Sequence, residues 1–178
     1  RALVRFSQKV RFILVKVIFM EMLDIVDMNG NPTGEVVERS VAHKDGIMHR
    51  TSHVWILRKH NGSTQILLQK RSSDKDAFPG CYDISSAGHI PAGVDYIPSA
   101  IRELKEELGV EAGEEEFIFC GDKFVNWDDC FHGVEFHDRQ YSRVFSVSGK
   151  IWIMKTLNFR KKKSMEFSGW TSKNVFKQ

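Results

Sequence analysis

The chain has 178 residues, 42% hydrophobic and 28% charged, with a formal net charge of +3. That length supports one domain with a sizeable core, and the balance excludes a disordered or low-complexity chain. No apolar run reaches the roughly 18 residues a membrane helix needs, and three cysteines without CxxC spacing (Cys81, Cys120, Cys130) fit reduced thiols in a cytosolic protein better than a disulfide framework.

Charge divides the chain into three parts. Residues 1–19 hold five basic side chains and no acidic one; residues 150–178 hold eight basic ones against Glu166 alone; 20–149 carry −9. The expectation is a domain over 20–149, a basic extension over 1–19 outside the native domain, and an atypical basic tail over 150–178. Because the basic residues avoid the acidic middle, no nucleic-acid site is expected.

Residues 23–27 read as a strand entering the turn Asn29-Gly30-Asn31-Pro32. Residues 49–57 and 63–70 read as strands joined through Asn61-Gly62, a strong hairpin signal. A loop over 76–85 then feeds a short strand. Next comes Ala87-Gly88-His89-Ile90-Pro91-Ala92-Gly93, where glycines permit a tight backbone path. A helix follows, with Pro98 in its first turn and Gly109 at its C′ position. Beyond it, 117–120, 123–127, 133–137 and 142–147 read as four strands separated by loops. Strands before and after one central helix predict a mixed α/β layer fold.

The helix carries the chemistry. Ile101, Leu104 and Leu108 share an apolar face, while Glu103 neighbours both Glu106 and Glu107 at helical spacing. Like charges so placed destabilise a helix by a few tenths of a kcal/mol per pair. A divalent cation reverses that sign, because hard cations take carboxylate and phosphate oxygens together. Spacing alone leaves a second reading open, a solvated acidic helix paired with lysines.

The full stretch resembles the Nudix box, G-x5-E-x7-R-E-U-x-E-E-x-G-U, where U is a bulky aliphatic residue. Gly88, Arg102, Glu103, Leu104, Glu106, Glu107, Gly109 and Val110 match it; the first glutamate of the box falls on Val94. The resemblance implies an α/β/α sandwich with a mixed sheet and a loop–helix box. It implies a hydrolase that cleaves a nucleoside-diphosphate-X or prenyl-diphosphate-like small molecule. Glu103, Glu106 and Glu107 would hold Mg²⁺ or Mn²⁺, and Arg102 would orient a glutamate. The base would be Glu103 or a carboxylate outside the box. No membrane partner is implied, the expected location is cytoplasmic, and a homodimer is left open.

The resemblance extends over about 22–147 to the branch related to isopentenyl-diphosphate isomerase. It runs through His43, His49-Arg50, Leu68-Gln69-Lys70-Arg71-Ser72, Phe78-Pro79-Gly80 and Ser86-Ala87-Gly88-His89. His43, His49 and His89 align with histidines that bind a metal in the isomerase, which makes them candidates for a second metal site; capping of turns is the other reading. Lys70 and Arg71 are candidates for substrate phosphates, and His53 reads as structural. The isomerase places a catalytic cysteine where this chain has Ala87 and a catalytic acid where it has Gln140. Isomerisation therefore lacks an acid/base pair here, and hydrolysis is the expectation. A catalytically inactive ligand-binding module is the remaining alternative.

The tail over 150–178 departs from this branch, which continues with an acidic segment. In the adjacent codon frame, Trp152/Ile153 gives Asp, Met154/Lys155 gives Glu, Met165/Glu166 gives Gly and Trp170/Thr171 gives Asp. The basic tail is thus expected to be an out-of-frame reading of an acidic end, which the nucleotide sequence decides.

Overall fold

The structure is a computed structural model that describes residues 20–73, 78–148 and, as backbone, 164–170. The expectations for 1–19 and for most of 150–178 lie outside the described residues. Among the described residues, nine strands share one mixed sheet. They are β1 (Met22–Val26), β2 (Pro32–Glu38), β3 (His49–His60), β4 (Ser63–Lys70), β5 (Tyr82–Asp83), β6 (Ser86–His89), β7 (Phe117–Phe131), β8 (Val134–Ser148) and β9 (Ser164–Trp170). β3 is the hub: it runs antiparallel to β1, β4 and β6 and parallel to β8.

Helix α1 (Arg39–Asp45) contacts the sheet face that carries His49, and α2 (Tyr96–Glu103) covers the other. Helices on both faces make the sandwich expected from the resemblance. Val54, Ile56 and Val147 from the sheet meet Ala100, Leu104 and Leu108 from the helical segment in the main core. Burial of apolar surface there fixes the angle of the box helix on the sheet. Ile101, the third member of the expected apolar face, is half-buried.

Three sequence expectations change. The hairpin after the helix is two 15-residue strands, not four short ones. Gly121, at φ 135°, sits where the β7–β8 register shifts, so a bulge absorbs the polar interruption that reads as a loop. His132 and Gly133, at φ 53° and 79°, close the hairpin as a turn. Second, β2 and α1 occupy a stretch with no clear periodicity; α1 has only seven residues, capped by the Glu38 side chain and by left-handed Gly46. Third, the box helix does not stay α-helical. After Glu103, Leu104–Leu108 form a π turn that ends at left-handed Gly109, a local widening that recurs at functional sites.

Candidate active site

β6 pairs Gly88 with Ser52 and His89 with Thr51. Consecutive strand residues point to opposite faces, so Gly88 turns toward α2 and His89 away from it. A Cβ at Gly88 would lie 2.6 Å from Glu103 Cγ and 2.8 Å from its Cδ. Glycine is needed here for room rather than for an unusual backbone angle, which corrects the turn-based reading of this residue.

Glu103 has an 18% exposed side chain and accepts a hydrogen bond from Arg102 Nη2 at 3.0 Å. Arg102 Nη1 lies 3.9 Å from Glu106. The guanidinium therefore spans two carboxylates instead of gripping one with both arms. Burial is the main force raising the Glu103 pKa; Arg102 opposes it, and the charges of Glu107 and Glu106 raise it further. Glu106 is exposed and Glu107 half-buried. A partly desolvated carboxylate crowded by two others is stabilised by a hard cation, so this donor set fits Mg²⁺ or Mn²⁺.

Val94 is not a gap in the loop. Its side chain packs against Ile90, Tyr96 and Phe145. The loop is tied down from β1 instead: Asp24 accepts the Gly93 N–H at 3.0 Å and pairs with Arg50, whose Nη2 also donates to the Val94 carbonyl at 2.8 Å. A buried ion pair from outside the box thus holds the loop at the position where the box has a glutamate.

On the opposite face, His43, His49 and His89 present ligand atoms that all lie within 4.8 Å of one another. Burial depresses all three pKa values, that of His89 to about 2. The imidazoles are therefore neutral at physiological pH, the form that binds metals. His49 Nδ1 lies 2.8 Å from the Ile47 carbonyl, which directs its Nε2 inward, where it is buried with no hydrogen-bond partner among the described residues. That is the orientation expected of a ligating histidine, and the set fits a borderline transition-metal ion. Asp138 stands 3.6 Å from His43 Nδ1 and accepts a hydrogen bond from Gln140 Nε2 at 2.6 Å.

A cavity of about 740 Å³ opens beside this cluster, with Glu21, Arg39, Lys44, Asp138 and Phe136 among its lining residues. These five were not found from sequence. Asp138 had a signal, because it sits two residues before Gln140 on one face of a strand; Arg39 and Lys44 belong to the short helix that left none. His53 is two-thirds of the way along the same face from His49 to Trp55 and is held neutral, with its pKa lowered to about 4 chiefly by burial. Lys70 and Arg71 end β4; Lys70 lies 5.8 Å from the Tyr82 ring centroid and Arg71 3.0 Å from Asp83.

Residues 49–163 match the family described as NUDIX domain. The chain belongs to that family. Nudix hydrolase 3 of Arabidopsis thaliana is 46% identical over 122 residues, which cover 66% of this chain and 15% of the relative. An uncharacterized Nudix hydrolase of Clostridium acetobutylicum is 36% identical over 133 residues, covering 75% and 62%. The chain thus spans a minor part of the first relative and less than two thirds of the second. In fold, this Nudix domain is similar to the crystal structure of DR0079 from Deinococcus radiodurans, with a TM-score of 0.58 at 17% identity over 83% of this chain and 82% of that one.

Proposed function

We propose that this Nudix domain is a divalent-metal-dependent hydrolase of a diphosphate linkage in a small molecule. The observation that carries this is the half-buried Glu103, packed across Gly88, bridged by Arg102 and crowded by Glu106 and Glu107. Glu103, Glu106 and Glu107 would hold Mg²⁺ or Mn²⁺, which supplies charge neutralisation for the diphosphate and a lowered pKa for water. Glu103, ionised, takes a proton from the attacking water as its oxygen bonds to phosphorus, and the P–O bond to the leaving group breaks. Arg102 keeps Glu103 and Glu106 from repelling each other. Lys70 and Arg71 supply positive charge for the phosphates, and Arg39 and Lys44 do so at the histidine face. His43, His49 and His89 form a second, transition-metal site. The substrate is a nucleoside-diphosphate or prenyl-diphosphate derivative, and the protein works among reduced thiols in the cytoplasm.

Two observations favour hydrolysis over isomerisation. Ala87 offers no acid, and Gln140 is a neutral amide that donates to Asp138 and accepts from Thr51. The test is a panel of nucleoside and prenyl diphosphates with phosphate and diphosphate detection, run on the wild type and on Glu103→Gln and Glu107→Gln. Hydrolysis by the wild type, lost in both variants with the fold retained, is expected. Normal turnover in both variants, or conversion of isopentenyl diphosphate to its dimethylallyl isomer without hydrolysis, would overturn the assignment.

A further inference from the structure

Among the described residues, β7 is an edge strand: β8 lies on one side of it and no strand on the other. Beyond the bulge at Gly121 its register with β8 runs unshifted to Phe131. Residues 122–130 thus form a regular segment about 30 Å long, whose outward N–H and C=O groups are open to another strand. Alternation puts Lys123, Val125, Trp127 and Asp129 on one face. Their β8 partners are Ser142, Gln140, Asp138 and Phe136, so this is the face of the histidine cavity. Lys123 and Asp129 are exposed, and Val125 and Trp127 are half-buried. The other two acids of the segment are taken up within the chain, Asp122 by Arg143 and Asp128 by His137 and Arg139. Asp129 accepts the Cys130 N–H at 2.7 Å, but among the described residues no ion pair engages it or Lys123.

The order of these four side chains is self-complementary. Read backwards, basic-apolar-apolar-acidic becomes acidic-apolar-apolar-basic. We propose that β7 pairs antiparallel with the β7 of a second copy of this chain, across a two-fold axis at Asn126. That register sets Lys123 opposite the second copy's Asp129 and Val125 opposite the second copy's Trp127. Symmetry makes each contact twice. Opposite charges and an aromatic–β-branched pair are cross-strand combinations that stabilise a ladder. A two-fold axis that joins two edges antiparallel keeps like faces together, so the axis can move only in whole residues. Moved to Val125, it sets Asp122 against Asp128. Moved to Trp127, it leaves Lys123 against Phe131 and Asp129 against Val125. Within β7, Lys123 meets an acid only when the axis stands at Asn126. Charges on an edge strand ordinarily guard it against pairing; here they select one register and one partner. The pairing is independent of the proposed hydrolase chemistry, in which neither Lys123 nor Asp129 takes part.

The test is sedimentation equilibrium of the full chain across a range of concentrations, with Lys123→Glu, Asp129→Lys and the variant that carries both. The substituted side chains are exposed, so circular dichroism should show all three variants folded. A segment of this length makes a small interface, and the wild type is expected as a reversible dimer with Kd of about micromolar to tens of micromolar. Each single variant puts two like-charge pairs into the interface and should weaken the dimer by about tenfold or more. The double variant should dimerise as the wild type does. An equimolar mixture of the two single variants should dimerise as well, because each introduced charge then meets an unlike one. Exchange of the outward amides of residues 122–130 should slow as concentration rises. A monomer up to about 0.5 mM, unchanged affinity in either folded single variant, or no recovery in the mixture would each overturn the proposal. So would slow exchange of those amides at every concentration, which would mean that another part of the chain already covers the edge.

Discussion

Glu103 fills the space that a side chain at Gly88 would occupy, with its Cγ 2.6 Å from where the Cβ would stand. The strand and the helix are thus fitted to each other through the one residue that lacks a Cβ. Gly88→Ala must push the carboxylate away from Arg102 or push β6 away from α2. Misplacement by about 1 Å can cost about a hundredfold in rate, and overpacking costs about 1–3 kcal/mol. The expected outcome is a folded, less stable protein with kcat reduced by about two orders of magnitude. Steady-state kinetics on the best diphosphate of the panel check this; a near-normal kcat sinks the proposed role of the contact.

Glu103→Gln should separate activity from stability. The folded-state pKa of Glu103 is raised, so its favourable contribution is the protonated form, fully present below the unfolded carboxylate pKa and lost as pH rises through the folded value. At neutral pH without metal, the ionised carboxylate therefore opposes folding. The amide removes that penalty, so the melting temperature should rise while turnover disappears. Added Mg²⁺ should stabilise the wild type and leave the variant unmoved. Differential scanning fluorimetry with and without Mg²⁺ checks both directions, and a lower melting temperature in the metal-free variant counts against the argument.

The box helix was legible because a helical period and a row of like charges are local signals. Its cap at Gly109 and its apolar contacts through Leu104 and Leu108 follow from the same period. The π turn was not legible, since it depends on how the segment seats against the sheet. Nor were the partners that arrive from a distance. Asp24 reaches the box loop across 69 residues of chain, and the His43–His89 contact joins residues 46 apart. No periodicity records such meetings; they follow from β1, β3 and β6 being neighbours in the sheet and from α1 setting His43 against the face that carries His49. The long β7–β8 hairpin was missed for a different reason. Among the described residues its outer strand pairs only with β8, so polar residues sit along it at little cost and imitate loop sequence.

Asp24→Ala should be among the most damaging changes outside the box. Asp24 and Arg50 have side chains 14% and 8% exposed. Removing one partner of a buried pair leaves the other charge desolvated, typically about 3–5 kcal/mol. The Gly93 N–H loses its acceptor in the same step. Urea denaturation should show a loss of that size, and hydrogen exchange should show the amide of Gly93 unprotected while core amides stay slow. A change under about 1 kcal/mol would mean that other contacts hold the loop.

The two candidate metal sites should titrate independently. Zn²⁺ acting through the histidines should raise the melting temperature of Glu103→Gln as much as that of the wild type. The same ion should do less to His43→Gln, whose imidazole faces both His49 and His89. Mg²⁺ should show the reverse pattern, because it takes oxygen rather than imidazole ligands. A calorimetric titration of each variant with each ion checks the pairing. Loss of both responses in either variant would mean one shared site.

His53 gives the fold a pH dependence of its own. Its pKa is lowered from the ordinary 6.5 to about 4, first by burial and then by the nearby charge of Lys123. The unfolded chain therefore binds a proton that the folded chain refuses. Stability is full above the unfolded pKa near 6.5 and falls as pH drops toward 4, by up to about 1.4 kcal/mol per pH unit for this one group. His89 and the other cluster histidines add to the same slope without metal. In His53→Gln, whose side chain does not titrate, the slope between about pH 6.5 and 4.5 should flatten by up to one proton. Denaturant midpoints collected across that window decide it: an unchanged slope would mean that His53 is open to solvent in the folded chain.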